Sequence, residues 1–165
     1  MRLSSLSDYA VVLMCAAARH CGHSRTSAAE LAGETGLPVP TAQKLVSMLG
    51  RAGLIRSMRG AGGGVQLARP AASISLAEII EAIEGPIAMT SCVDTGRHDC
   101  SLEKSCQVRP HWRVVNDAVR GALDNVSLAS LACSSPASLA PIRPRRGETQ
   151  GPRLSTPIET EGAIQ

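Results

Sequence analysis

The chain contains no phenylalanine, and Tyr9 and Trp112 are its only aromatic residues. A core without such rings must be filled by Leu, Ile, Val, Ala and Met, which favours thin helical packing over a thick sheet sandwich. No apolar run approaches the roughly 20 residues that span a bilayer. The opening Met1-Arg-Leu-Ser-Ser-Leu-Ser-Asp8 has no long apolar stretch after its single basic residue, so no signal peptide is expected. These absences predict a cytoplasmic protein without a membrane partner. Thiols stay reduced there, so clustered cysteines point to metal binding or redox sensing and away from structural disulfides. No nucleophile–base pair and no set of pocket-forming aromatics is apparent, which argues against an enzyme.

Acid is absent from one long segment. Between Val39 and Pro70 stand Lys44, Arg51, Arg56, Arg59 and Arg69, with no Asp or Glu. The net charge is only +3, but a local unbalanced charge of this kind attracts phosphate backbone.

The 165 residues suit one domain and a tail. A run free of Gly and Pro from Tyr9 to Arg19 predicts a first helix over about 7–20. Ser27-Ala-Ala-Glu30 matches a capping box, in which serine and glutamate each satisfy a free amide of the first turn. The second helix that it opens should stop near Gly33 to Gly36. Leu37-Pro38-Val39-Pro40 reads as a turn, with Pro40 suited to a first helical turn. A third helix follows over about 39–52, with Ala42, Leu45, Val46 and Leu49 inward and Gly53 as its C-terminal stop. Helix, tight turn, helix is the helix-turn-helix pattern. Leu54 to Met58 then reads as a strand, Arg59 to Gly64 as a glycine turn and Val65 to Leu67 as the return strand. A hairpin there is a wing. The glycines are not a phosphate loop, because no Lys-Ser/Thr follows and the chain enters a strand.

Ser75-Leu-Ala-Glu78 is a second capping box and opens a fourth helix over 76–83, ended by Gly85-Pro86. A polar loop spans 92–106, and a long fifth helix is expected over about 110–131. On it Val115, Val119, Ala122 and Val126 recur at spacings that suit a helix–helix dimer seam. From residue 133 the composition turns to Ser, Pro, Arg and Gly, so 133–165 is expected to be a disordered tail and 1–132 the folded unit.

The loop carries Cys92, Cys100 and Cys106 in a C-x7-C-x5-C spacing. Three thiolates on so short a segment can converge on one metal centre. From the residues alone, a zinc site completed by His or Asp, an iron–sulfur cluster and a thiol–disulfide switch all remain open. Cys15, Cys21 and Cys133 read as inert.

In its order of parts the chain resembles the IscR-like winged-helix regulators of bacteria, the group that includes the nitric-oxide sensor NsrR and the iron regulator RirA. The likeness rests on Met1-Arg-Leu, Asp8-Tyr-Ala, the run Leu54-Ile-Arg-Ser-Met-Arg-Gly-Ala-Gly-Gly-Gly64, the run Ser75-Leu-Ala-Glu-Ile-Ile-Glu-Ala-Ile83, the three cysteines and Trp112. It covers residues 1 to about 132. It implies a mainly α fold with a small β-hairpin, a winged helix-turn-helix domain followed by a long C-terminal dimerisation helix. It further implies a homodimer that carries an iron–sulfur cluster, 2Fe–2S or 4Fe–4S, and binds palindromic double-stranded promoter DNA. Repression of iron–sulfur assembly or iron-homeostasis genes follows from the likeness. The alternatives are a zinc- or thiol-redox-dependent regulator and a nitric-oxide-responsive repressor.

A cluster usually takes four protein ligands, and only three cysteines lie in the loop. In the nitric-oxide-sensing branch an aspartate early in the first helix of the partner subunit completes the set, and Asp8 stands at the matching position. In the IscR branch a histidine after the third cysteine does so. Here Arg109 occupies that place and His111 lies two residues later. Asp8 acting in trans is the first candidate, His111 the second and His98 the third. Asp8 also suits the positive end of its helix for electrostatic reasons alone. An oxygen ligand holds iron less firmly than sulfur, which implies a labile cluster responsive to iron, oxygen or nitric oxide.

For DNA, the third helix should enter the major groove with Thr41, Gln43 and Lys44 at its N-terminal end. Gln can pair with adenine and Thr can touch a thymine methyl. Lys44 and Arg51 suit phosphates. Arg59 at the wing tip suits a narrow minor groove, with Gly60 and Gly62 to Gly64 allowing close backbone approach.

Overall fold

The computed structural model describes residues 3–20, 26–58, 64–93, 100 and 105–133. Six α-helices and one hairpin follow in order: α1 (Ser5–Arg19), α2 (Ala28–Thr35), α3 (Val39–Arg51), β1 (Ile55–Met58), β2 (Gly64–Leu67), α4 (Leu76–Glu84), α5 (Arg109–Asp124) and α6 (Leu128–Ala132), with a single 3-10 turn at Ala71–Ser73. No described helix is long and apolar enough to cross a membrane.

The local signals act as their chemistry dictates. Ser4 caps α1, accepting from the Ser7 amide, so the helix begins two residues before the expected start. Both capping boxes form. Ser27 accepts from the Glu30 amide at 3.1 Å while Glu30 accepts from the Ser27 amide at 2.7 Å. Ser75 and Glu78 repeat the exchange at 3.2 and 2.9 Å. Gly36 ends α2 in the left-handed region, φ 70°, where a side chain is strained. The Leu37 amide then closes on the Ala32 carbonyl at 3.1 Å and turns the chain tightly into α3. Gly53 does the same one residue beyond the α3 cap Ala52, with φ 73° and the Leu54 amide on the Leu49 carbonyl at 3.0 Å.

α1 is the centre of the core. Its Ala10, Leu13, Met14, Ala16 and Ala17 are buried against Leu31 of α2, Leu45 and Leu49 of α3, Val65 and Leu67 of the wing, Ile79 of α4 and Leu128 of α6. β1 and β2 pair antiparallel, Ile55 opposite Leu67 and Arg56 opposite Gln66. Thr26 joins the wing through an isolated bridge to Val65, so the chain leading into α2 lies beside the return strand. A second, smaller patch holds Ala77, Ile80 and Ile87, with Leu123 of α5 packed on it.

The single helix expected over 110–131 is two helices. α5 stops at Asp124, and α6 restarts at Leu128 under a Ser127 cap that accepts from the Ser130 amide at 3.2 Å. Between them the chain pairs with the segment before α4: Leu76 donates to the Val126 carbonyl and Leu128 to the Ile74 carbonyl, each at 2.8 Å. Those tertiary bonds and the burial of Leu128 outweigh helical continuation. The expected stripe splits accordingly. Val119 and Val126 are half-buried, whereas Val115 and Ala122 are exposed. The tail expected over 133–165 lies, beyond Cys133, outside the described residues.

α1 and α4 are also tied by polar bonds. The buried Ser7 hydroxyl donates to Glu84 Oε1 at 2.6 Å, and the Ser4 amide donates to the same oxygen at 2.8 Å. These bonds, that from Ser7 first, hold the Glu84 carboxyl below its ordinary range. The Ser27 amide does the same for Glu30. For Glu78, partial burial pulls upward, but the Ser75 amide and Arg69 together hold it low. A carboxyl depressed in the fold stabilises fully above the unfolded glutamate range near about 4.3, and that contribution disappears as pH falls through the lower folded values. Thermal melting should therefore be flat near neutrality and drop below about pH 4. Ser7→Ala should cost about 1 kcal/mol and shallow the acid slope; circular-dichroism melts across pH check both.

Candidate nucleic-acid interface and cysteine site

α3 turns Ala42, Leu45 and Leu49 inward. Its periodicity therefore leaves Gln43, Lys44, Ser47 and Arg51 exposed on the opposite side, with Thr41 half-buried at the N-terminal end. In β1 Ile55 is buried, while Arg56, Ser57 and Met58 are all exposed. A groove runs between the two elements, lined by Gln43, Ser47, Arg51 and Ser57 with Val46 and Ile55 at its floor. The outward face therefore combines hydrogen-bonding side chains at the start of α3 with cations on either side. Among the described residues, no acid is seen to pair with Lys44, Arg51 or Arg56.

Arg69 departs from the expected cationic run. It donates to Glu78 Oε1 at 2.7 Å and to the Ser73 carbonyl at 3.2 Å. Its charge is partly offset by that surface pair, which braces the start of α4. Arg56 takes its place on the outward face. Arg59, Gly60 and Gly62 lie outside the described residues.

Among the described residues the cysteines are free thiols, at Cys15, Cys92, Cys100, Cys106 and Cys133; Cys21 lies outside the described residues. Cys15, half-buried in α1, has its thiol pushed up by burial, with Arg19 opposing weakly. That keeps it protonated and unreactive, as expected of an inert residue. Cys133 is exposed at the end of α6.

Cys92 follows α4 and is buried, 7 % exposed, with its Sγ 3.2 Å from the Thr90 hydroxyl. Cys106 is half-buried and leads directly into α5, its carbonyl accepting from the Arg109 amide. Cys100 is half-buried between them. Asp8 is exposed in the first turn of α1, and His111 is exposed in the first turn of α5. Among the described residues, no three of His, Cys, Asp and Glu stand together as a group that could hold a metal ion. The structure thus brings the three thiols to one connection, α4 to α5, without gathering them. His98 lies outside the described residues.

Sequence reasoning missed one residue of this connection. Asn116, on α5, is buried, donating to the Ile87 carbonyl and accepting from the Met89 amide, each at 3.0 Å. Nearby, Arg120 grips Glu81 of α4 through two bonds of 2.9 and 3.2 Å. The rest of α5 buries little. Val108, Val114 and Val115 are exposed, Val114 to 69 %.

Residues 3–134 match the family model Rrf2, described as an iron-dependent transcriptional regulator. The chain is 34 % identical over 131 residues to the HTH-type transcriptional regulator IscR of Photorhabdus laumondii, covering 79 % of each protein. Among solved structures it resembles CymR, the global cysteine regulator of B. subtilis, with a TM-score of 0.63, 32 % identity, and coverage of 82 % of this chain and 98 % of that one. It also resembles T. potens IscR, with a TM-score of 0.60, 30 % identity, and coverage of 85 % and 93 %. The family match spans the described residues and agrees with the winged-helix fold, and the chain belongs to the Rrf2 family of transcriptional regulators.

Proposed function

We propose that this regulator acts in the cytoplasm as a homodimeric repressor. It binds palindromic promoter DNA according to the state of an iron–sulfur cluster, and it controls iron–sulfur assembly or iron-homeostasis genes. The observation that carries the reading is the placement of Cys92, Cys100 and Cys106 on the one connection between the reading domain and α5. Three reduced thiols are soft donors of the kind that hold iron, so the donor set fits the group. Asp8 of the partner subunit is the favoured fourth ligand and His111 the second. When bound, the cluster supplies a centre that iron, oxygen or nitric oxide can alter, the more readily if one ligand is an oxygen.

The chain's own residues do the rest. Thr41 and Gln43 read base edges. Lys44, Arg51 and Arg56 neutralise phosphates; Arg59, outside the described residues, suits a narrow minor groove, and Gly60 and Gly62 leave room for close backbone approach. Val108 at the α5 cap, Val115 and Ala122 recur every seven residues and stay exposed, which supports a helix seam with a second copy. Cys92 and Cys106 frame a loop whose ordering would set the angle between α4 and α5, and so between two reading heads.

A second reading, a regulator switched by thiol oxidation, is favoured by the structural likeness to CymR, the global cysteine regulator, together with the three free thiols on one connection. Anaerobic purification distinguishes the two. The cluster reading expects a visible chromophore that Cys92→Ala abolishes; an unchanged spectrum in that variant removes Cys92 as a ligand. Gel-shift titration of cluster-loaded and cluster-free protein on the chain's own promoter should give different affinities or site preferences, and equal binding in both states would sink the proposal.

The phosphate contacts are tested separately. Lys44→Ala or Arg56→Ala should weaken binding uniformly across sequences. Each should lower the slope of log affinity against log salt by about 1. Gln43→Ala should instead relax discrimination at one base position. Fluorescence anisotropy at several salt concentrations reads both effects.

A further inference from the structure

We infer that Asn116 is a positioning residue that couples the cysteine segment to α5, acting through the backbone that leads into Cys92. The inference rests on the reading of Cys92 as a cluster ligand. Asn116 is the buried residue of a helix otherwise largely exposed, at 8 % exposure. A buried amide is costly unless its hydrogen bonds are made. Here its donor and its acceptor are both spent on one short stretch of backbone, the Ile87 carbonyl and the Met89 amide. Those partners lie 29 and 27 residues away in sequence, so the bonds join two elements and do not merely finish a helix.

The stretch is held from two sides. Ile87 is buried with Ala77 and Ile80 of α4, while Asn116 grips it from α5. Three residues after Met89 stands Cys92, buried, with the Thr90 hydroxyl on its sulfur. One turn along α5, on the same side of the helix, Arg120 holds Glu81 of α4. Arg120 thus fixes α5 to α4, and Asn116 fixes the run into Cys92 to α5. A change in how α5 meets a second copy would be passed to the first cysteine, and a change at that cysteine would be passed to α5.

The test reads Cys92 in the full-length, metal-free protein. Reduced protein is treated under native conditions with iodoacetamide, and the ratio of Cys92 to Cys106 alkylation is followed by peptide mass spectrometry. Asn116→Leu should raise that ratio about tenfold, the scale on which an unpaired buried backbone group shifts a local opening equilibrium. Leu123→Ala loosens α5 on the Ala77, Ile80 and Ile87 patch but leaves no buried polar group unpaired; it should lower the melting temperature while raising the ratio clearly less than Asn116→Leu does. Should Asn116→Leu not fold, Asn116→Asp keeps the shape and the Met89 contact but sets a carboxylate against the Ile87 carbonyl, and it should shift the ratio in the same direction. An unchanged ratio in the Asn116 variants, or an equal rise in Leu123→Ala, overturns the inference. Because the ratio is read without metal, a wild-type protein that forms no chromophore on iron and sulfide reconstitution defeats the cluster reading alone, and the alkylation ratio still decides whether Asn116 positions Cys92.

Discussion

With no phenylalanine and only two aromatic rings in the chain, the core depends on close approach of helices around α1. Ala10, Ala16 and Ala17 provide that closeness, and Leu13 and Met14 fill the space between them, all essentially out of solvent. Full burial of a Leu or Met side chain contributes about 1.5–3 kcal/mol, against a net stability for such domains of about 5–15 kcal/mol. Every element but α5 packs on this contact. α2, α3, the wing, α4 and α6 all bury side chains against the same cluster. The polar tie from Ser7 and Ser4 to Glu84 then sets where α4 ends relative to the start of α1.

The reading face follows from that packing. Because α3 is pinned by Ala42, Leu45 and Leu49, its polar side has one orientation, and the wing is held beside it by the Thr26–Val65 bridge. The cationic balance is finer than a count of basic residues implies. Arg69 is paired with Glu78 at the surface, so, among the described residues, the outward charge without an acid partner comes from Lys44, Arg51 and Arg56. A buried or bonded cation braces the fold; an unpaired one is left to attract phosphate. The α4–α5 connection is built differently, by single polar ties at Asn116 and Arg120 over a small apolar patch. A joint of this kind is cheaper to shift than the α1 core, which suits a segment that carries ligands.

Much of the architecture was legible because its signals are local. The capping boxes at Ser27 and Ser75 each need only four residues, and both formed. Gly36 and Gly53 lie where a left-handed turn is required, and the wing strands flank a glycine-rich turn visible in residue type alone. What failed was non-local. The helix expected to run to Leu131 breaks because Val126 and Leu128 find partners at Leu76 and Ile74, some fifty residues earlier in the chain. Ser127 could have been read as a cap, but a serine inside a periodic apolar run is ambiguous until the docking partner is known. Asn116 was invisible for the same reason. An asparagine in a polar-looking helix becomes meaningful only when a distant backbone supplies both of its bonds.

The sequence by itself determined the succession of elements, the acid-free segment, and three thiols on one short connection, because caps, turns, periodicity and residue type act over a few neighbours. The tertiary structure alone decided which arginine pairs with a carboxylate, where α5 ends, and that Cys92 is sequestered beside Thr90 while Cys100 and Cys106 remain half-exposed. Those outcomes depend on hydrogen bonds and burial between segments far apart in the chain, where competing partners settle the geometry only when the whole core has closed around α1.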